Sequence, residues 1–322
     1  MKNASAQKVK FHYSFMKVMT GHDLSVRRIP VMKIEHEKSG PLVVLTAGMH
    51  GDEIGGTVVI QELFKLLKYE LRCGTIYAFP MLNPFGFENT SRRISISNED
   101  LNRSFPGNPK GTLAQRIAAI SMEKICGLQP DLVLDLHNDW NKSIPYVVID
   151  TLEDKSKLAL LHHYANRSGL PAIQETETIH TSFSYTLNIY GIPALTIELG
   201  ESLIINEKNI IYGTNAVLKL LSELEMTRNS NEPGFKIPEM IQNKILSYSS
   251  NPLCSTSGII RFAKKPGEMI KEGEKIARVY NAFGKLTETI RSVHDGIILG
   301  HNDYAVSYPG SPVMAFGVLP GS

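Results

Sequence analysis

Cysteine, tryptophan and net charge are all scarce in this chain of 322 residues. Its three cysteines, Cys73, Cys126 and Cys254, are widely spaced and odd in number. They form neither a CxxC pair nor a disulfide framework, so a reducing compartment is expected. The net charge is only +2, and no basic run suggests a nucleic-acid surface. No apolar stretch approaches the length of a membrane span, so no membrane partner is expected. The first twenty residues interleave Lys, His and Ser with apolar positions. Lacking a continuous apolar core, they do not read as a secretory signal, and a cytoplasmic location follows as an expectation. Internal repeats and low-complexity segments are missing too.

What is present is ordinary globular material, 42% hydrophobic and 20% charged. The length suits one large domain plus a smaller one. Residues 8–35 mix polar and apolar positions and read as edge strands. Short β-branched runs at 42–47, 75–80, 132–136, 146–149 and 194–197 read as buried strands. Between them, helical periodicity covers 53–67, 112–126, 155–168 and 211–224, with Gly127, Pro130, Gly169 and Pro171 as stop signals. This alternation predicts an α/β sheet covered on both faces. Residues 227–238 are rich in Asn, Ser, Pro and Gly and read as a linker. From about Ile245 onward there are short strand-like pieces, Gly turns and no convincing helix. The expected division is therefore an α/β domain over 1–230 and a small all-β domain over 231–322.

The chemistry-bearing residues sit at the ends of these strands. His50-Gly51-Asp52-Glu53 follows the run ending at Gly48 and offers an imidazole and a carboxylate from a single turn. His137, in Asp135-Leu136-His137, ends another apolar run. Two ligands close in sequence and a third from a distant strand end match the plan of a catalytic zinc site, which keeps one position open for water. A single histidine is most often a plain core or surface residue. Here Glu53 is near enough to chelate, and Asp135 is placed to support His137. Strand ends are also where ligands gather in open α/β sheets. A long loop follows the second buried strand, carrying Asn83-Pro84, Ser91-Arg92-Arg93 and Asp100-Leu101-Asn102-Arg103. An Asn–Arg pair suits bidentate binding of a carboxylate. Arg92 or Arg93 is a candidate for stabilising an oxyanion, against the bland reading of solvated loop charges. Glu198, directly after an apolar strand, is a candidate general acid/base, with Glu201 as a decoy for the same role.

Taken in order, Gly48-Met49-His50-Gly51-Asp52-Glu53, Asn83-Pro84, Asp100-Leu101-Asn102-Arg103, Asp135-Leu136-His137 and Ile197-Glu198 resemble the succinylglutamate desuccinylase/aspartoacylase family, relatives of the zinc carboxypeptidases. The resemblance covers roughly residues 40–200. It implies a three-layer, mixed-sheet, zinc-carboxypeptidase-like domain. It implies one Zn²⁺ per chain on His50, Glu53 and His137, and Glu198 as general acid/base. It also implies that Asn102 and Arg103 hold a substrate carboxylate while an upstream arginine assists the carbonyl; Arg93 is preferred over Arg92. The reaction implied is hydrolysis of the amide of a small N-acyl amino acid. Asn138-Asp139-Trp140, after the third ligand, departs from the family pattern and is a candidate for tuning acyl-group choice.

The end of the chain is similar to the barrel-sandwich fold of biotinyl and lipoyl carriers, through Thr256-Ser257-Gly258, Lys265-Pro266-Gly267-Glu268 and His294-Asp295-Gly296. Lys285 falls near the hairpin position of the carriers' modified lysine. Its neighbours Gly284 and Leu286 stand where biotin carriers have methionines, and a Gly before Lys is explained by turn geometry. This segment is expected to shape the mouth of the site, or to support contacts in a homo-oligomer. A metallo-carboxypeptidase acting on short peptides is the second reading of the chain, and a non-enzymatic carrier or binding protein a distant third.

Overall fold

The computed structural model describes residues 9–228, 234–301 and 306–321. Lys8, the middle of the expected linker and the expected division at 230/231 lie outside the described residues. The α/β part runs β1 (Val9–Thr20), β2 (Val26–His36), β3 (Leu42–Ala47), α1 (Gly55–Glu70), β4 (Thr75–Phe79), α2 (Pro84–Phe87), α3 (Leu113–Cys126), β5 (Leu132–His137), β6 (Lys142–Ser143), β7 (Tyr146–Ile149), α4 (Lys155–Arg167), β8 (Ala172–Gln174), α5 (Phe183–Ile189), β9 (Ala194–Glu198) and α6 (Glu207–Glu223). The rest is β10 (Ile245–Ser249), β11 (Gly258–Phe262), β12 (Met269–Ile270), β13 (Lys275–Tyr280), β14 (Leu286–Arg291), β15 (Gly296–His301), β16 (Val306–Ser307) and β17 (Met314–Val318). No described helix is long and apolar enough to cross a membrane.

One mixed sheet has the order β1-β2-β4-β3-β5-β9-β7-β8-β10-β17-β15-β12, with β6 pairing to β15. A second sheet is antiparallel, in the order β14-β13-β11-β16. The expected α/β architecture with an added β part is thus present. The large sheet runs straight through from the α/β part into the C-terminal strands, because β10 pairs in parallel with β8. The strand β8 and the helix α5 are additions to the elements read from the sequence. Each is short, and the segment between α4 and β9 has no long periodic pattern to betray it.

Period-two alternation sorts the side chains of the central strands. Val43 and Leu45 of β3, Leu132, Leu134 and Leu136 of β5, Val147 and Ile149 of β7, and Leu195 and Ile197 of β9 all enter one core, shared with α1, α4 and α6. Each such side chain, fully buried, contributes about 1.5–3 kcal/mol. Val44 and Val133 point the other way, into a second core with α3. His137 and Glu198 end their strands on this second face. Thr112 caps α3 with a reciprocal bond to Gln115, which sets where the long loop ends and the helix begins.

Candidate active site

The metal candidates converge first. His50 follows β3, Glu53 lies on the turn into α1, and His137 is the last residue of β5. All three are buried, and one donor atom from each lies within 4.8 Å of the others. The His50 Nδ1 atom is 2.6 Å from Glu53 Oε1, and His137 Nδ1 is 2.8 Å from Glu53 Oε2. The far nitrogen of each ring is held by another carboxylate. His137 Nε2 is 2.8 Å from Asp135, whose other oxygen accepts from Thr46 at 2.6 Å. His50 Nε2 is 3.2 Å from Asp100. Carboxylates behind the imidazoles are the usual support of metal-binding histidines. Two imidazole nitrogens and one carboxylate, each ring fixed from behind, form a donor set that fits a divalent ion.

The electrostatics agree with that geometry. Burial opposes charge on the imidazoles, yet Glu53 and Asp100 raise His50, and Asp135 and Glu53 hold His137 well above the usual histidine range. Glu53 is held low, despite its burial, by His50 and His137. So much negative charge around two imidazoles is a place where a cation is stabilised.

Gly51 in the ligand turn has a steric reason. A Cβ there would lie 1.9 Å from the Gly86 carbonyl carbon, and Gly51 N–H donates to Ser91 O at 2.9 Å. This close approach clamps the arginine loop onto the metal turn. Of the two adjacent arginines, Arg92 enters the site. It donates to Glu53 Oε1 at 3.3 Å and pairs with Asp100 Oδ2 at 3.2 Å. Arg93 turns away and donates to Asn98 O at 2.8 Å. The preference for Arg93 is therefore corrected: neighbouring loop residues point in different directions, and the turn pinned at Ile94 and Glu99 takes Arg93 outward.

The remaining candidates line the same cavity of about 340 Å³. Asn102 and Arg103 are among its lining residues. The Asn102 Oδ1 accepts from Phe183 N–H at 2.9 Å, so the amide nitrogen is the donor left for a ligand. Glu198 lines the cavity, and its Oε2 is buried without a partner. Burial pushes the Glu198 carboxyl well up, with Asp139 adding to it, while His137 and Arg92 oppose. Glu201 is spent elsewhere: it accepts from Asn206 at 2.6 Å and faces Lys142 at 3.6 Å. Asn138 ties three segments, accepting from Gly55 N–H at 3.0 Å and donating to the carbonyls of Gly200 and Glu201 at 3.1 and 3.0 Å. Asp139 lines the cavity and accepts from the Tyr146 hydroxyl. Trp140 instead packs in the core near β8 and β15.

The structure adds lining residues that the sequence reading passed over: Tyr146, Asp150, Glu175, Glu177, Ser182 and Tyr248. Asp150 carried the same signal as Glu198, an acid directly after an apolar strand. Tyr248 belongs to β10 and reaches the cavity only because β10 docks beside β8.

Comparisons with known proteins now bear on this geometry. Among curated proteins, the chain is 27% identical to an N-alpha-acetyl-L-2,4-diaminobutyric acid deacetylase of Halomonas elongata, over 89% of this chain and 85% of that protein. Carboxypeptidase Z of mouse is 30% identical over 32% of this chain and 19% of that protein. In fold, the chain resembles a succinylglutamate desuccinylase from Silicibacter sp. TM1040 (TM-score 0.81, 21% identity, 96% of this chain and 94% of that one). It also resembles a product-bound ectoine utilization protein from Ruegeria pomeroyi (TM-score 0.82, 20% identity, 98% and 100% covered). Residues 39–224 match the model of the succinylglutamate desuccinylase/aspartoacylase catalytic domain. That stretch is more than half of the chain and holds every residue of the metal cluster together with Arg92, Asn102, Arg103 and Glu198; the chain belongs to the succinylglutamate desuccinylase/aspartoacylase family.

Proposed function

We propose that this protein is a zinc-dependent deacylase that hydrolyses the amide bond of a small N-acyl amino acid. The observation that carries the reading is that His50, Glu53, His137, Arg92 and Glu198 all face one cavity of about 340 Å³. His50, Glu53 and His137 would hold one zinc ion per chain, as the nitrogen and carboxylate donors suit it. Such an ion supplies Lewis acidity toward a carbonyl and makes water more acidic. The chain's own residues do the rest. Glu198 takes a proton from the attacking water as its oxygen bonds to the carbonyl carbon. The same proton passes to the leaving nitrogen as the carbon–nitrogen bond breaks. Burial favours the protonated form of Glu198 needed for the second half, and added positive charge nearby favours the ionised form needed for the first. Arg92, anchored by Asp100, places a cation beside the cluster where oxyanion charge develops. Arg103 and the Asn102 amide are placed to hold the amino acid's carboxylate.

The β segment from about residue 231 supplies Tyr248 to the cavity and so narrows its mouth to small substrates. The family match ends at residue 224, which supports a division of the chain near 230. Carboxypeptidase action on short peptides is the second reading, favoured by the partial match to carboxypeptidase Z. A panel of acetyl-, succinyl- and aspartyl-type amides set against short peptides decides between the two. Zinc near one equivalent per chain is expected. Glu198→Ala is expected to lower turnover by about 10²–10⁴-fold with zinc retained. Undiminished turnover in that variant removes Glu198 from the mechanism. Hydrolysis of peptides alone replaces the deacylase reading with the second.

A further inference from the structure

Away from the metal cluster, the cavity wall carries three carboxylates, Asp150, Glu175 and Glu177. Tyr146, Val148 and Asp150 follow one another on the cavity face of β7 and its exit. Glu175 comes directly after β8, its N–H donating to Ile149 O at 2.9 Å, and Glu177 lies two residues on. The charges facing Glu175 are Asp150, Asp139 and Glu177, all carboxylates. Asp150 accepts from Asn188 Nδ2 at 3.1 Å and from the Ser184 side chain, both neutral donors. The cations of the cavity lining are Arg92 and Arg103, and Arg92 is bound to Asp100 and Glu53 instead. Among the described residues, no Lys or Arg pairs with Asp150, Glu175 or Glu177. Burial pushes Asp150 up to about 6, and burial with Asp150 beside it pushes Glu175 up to about 7. These carboxylates lack positive charge.

A separate observation points to a missing polar partner. Ser182 is the N-cap residue of α5, yet its side chain does not cap the helix; Asn102 binds the Phe183 N–H instead. Ser182 is 6% exposed, its Oγ has no partner, and it lines this cavity. A buried hydroxyl left unpaired is costly, and a polar ligand group would relieve that cost; beside carboxylates, which only accept, the group that serves both is a donor. The group that offers several N–H donors and a positive charge together is a primary ammonium.

We propose that the wall of Asp150, Glu175, Glu177 and Ser182 is an ammonium subsite, and that the substrate is an N-acyl amino acid carrying a second, free primary amine. This rests on the deacylase reading above and narrows it. A dicarboxylic substrate of the succinyl or aspartyl kind would bring a carboxylate to a wall of carboxylates, so it is disfavoured. The amino acid's own carboxylate lies at Asn102 and Arg103, and its acylated nitrogen lies at the metal cluster.

Three acetylated amino acids of similar shape test this on the zinc-loaded full chain: Nα-acetyl-2,4-diaminobutyrate, N-acetylnorvaline and N-acetylglutamate. They end in a cation, a methyl group and an anion. The expected kcat/KM falls in that order, with the cationic substrate ahead of the neutral one by about 100-fold or more. In Glu175→Gln the cationic-to-neutral ratio is expected to drop about tenfold, and Glu175→Asp to recover part of it. Calorimetry with free 2,4-diaminobutyrate and norvaline measures the same preference without catalysis. Hydrolysis with no charge preference, or with N-acetylglutamate best, overturns the ammonium subsite and leaves the deacylase standing. Tighter binding of the diamino acid, weakened in Glu175→Gln but with no hydrolysis of any amide, supports the subsite and overturns the deacylase. Neither hydrolysis nor preferential binding overturns both.

Discussion

The two walls of one cavity are built on opposite electrostatic plans. Around His50, Glu53 and His137 each charge has an opposite within hydrogen-bond distance, and each imidazole is braced by a carboxylate behind it. On the wall from β7, β8 and the start of α5, carboxylates face carboxylates and a hydroxyl has no partner. The first plan fixes geometry before anything binds. The second leaves a deficit of donors that a ligand can fill. Both walls stand on the same face of the same sheet, so the difference comes from residue choice at the strand exits and not from the fold.

Breaking the braced wall is expected to have the largest effect. Glu53→Ala removes the residue that faces both histidines, and zinc content by metal analysis should fall toward zero along with turnover. A variant that keeps full zinc would place the ion elsewhere. Arg92→Ala is expected to cost about 10²–10³-fold in kcat, as for loss of one oxyanion donor. Arg93→Ala should stay near wild type, since its guanidinium serves only the Asn98 carbonyl. Equal losses in the two variants would undo that distinction. Asp135→Asn keeps the shape but weakens the support of His137, and zinc affinity by competition with a chelator should drop about 10–100-fold.

The acidic wall gives a smaller effect, and one that depends on pH. The Glu175 carboxyl binds its proton more tightly folded (about 7) than in its ordinary state at 4.5. Between those values the folded chain holds more protons than the unfolded one, so this group's contribution to stability falls as pH rises, and it is unfavourable above 7. Asp150 behaves likewise between 3.8 and about 6. Glu175→Gln should therefore melt higher than wild type at pH 8 and lose that advantage near pH 4. A melting difference that is the same at both pH values would mean that Glu175 is not strained by its neighbours. Smallest of all, Tyr248→Phe should raise KM by only a few-fold with zinc unchanged, because it removes one hydroxyl from the cavity lining.

Much of the braced wall was legible in the sequence. The pattern from His50 to Glu53, the Asp135-Leu136-His137 strand end and Glu198 at the end of β9 each combined a buried apolar run with a charged exit. The strands β3, β4, β5, β7 and β9 and four of the helices were readable from the same periodicity, while β6 and β8 were too short to show one. Asp100 was visible only as part of a motif; its contact with His50 spans fifty positions and has no local signature. Glu175 and Glu177 follow a three-residue strand, too short to give a pattern, and Ser182 looks like any helix cap.

The sequence by itself determined which side chains can share a face, because a strand alternates with period two whatever surrounds it. It therefore determined that His137 and Glu198 stand on one face and the leucines of the same strands on the other. Only the tertiary structure decided which of Arg92 and Arg93 enters the cavity, since the orientation of loop residues depends on where the loop is clamped, here at Gly51 against Gly86. It alone decided that β10 docks on β8 and brings Tyr248 to the cavity, and that Asp150 meets Glu175 and Glu177 on one wall. Those encounters depend on strand order, and strand order is settled by how whole elements pack rather than by any local run of residues.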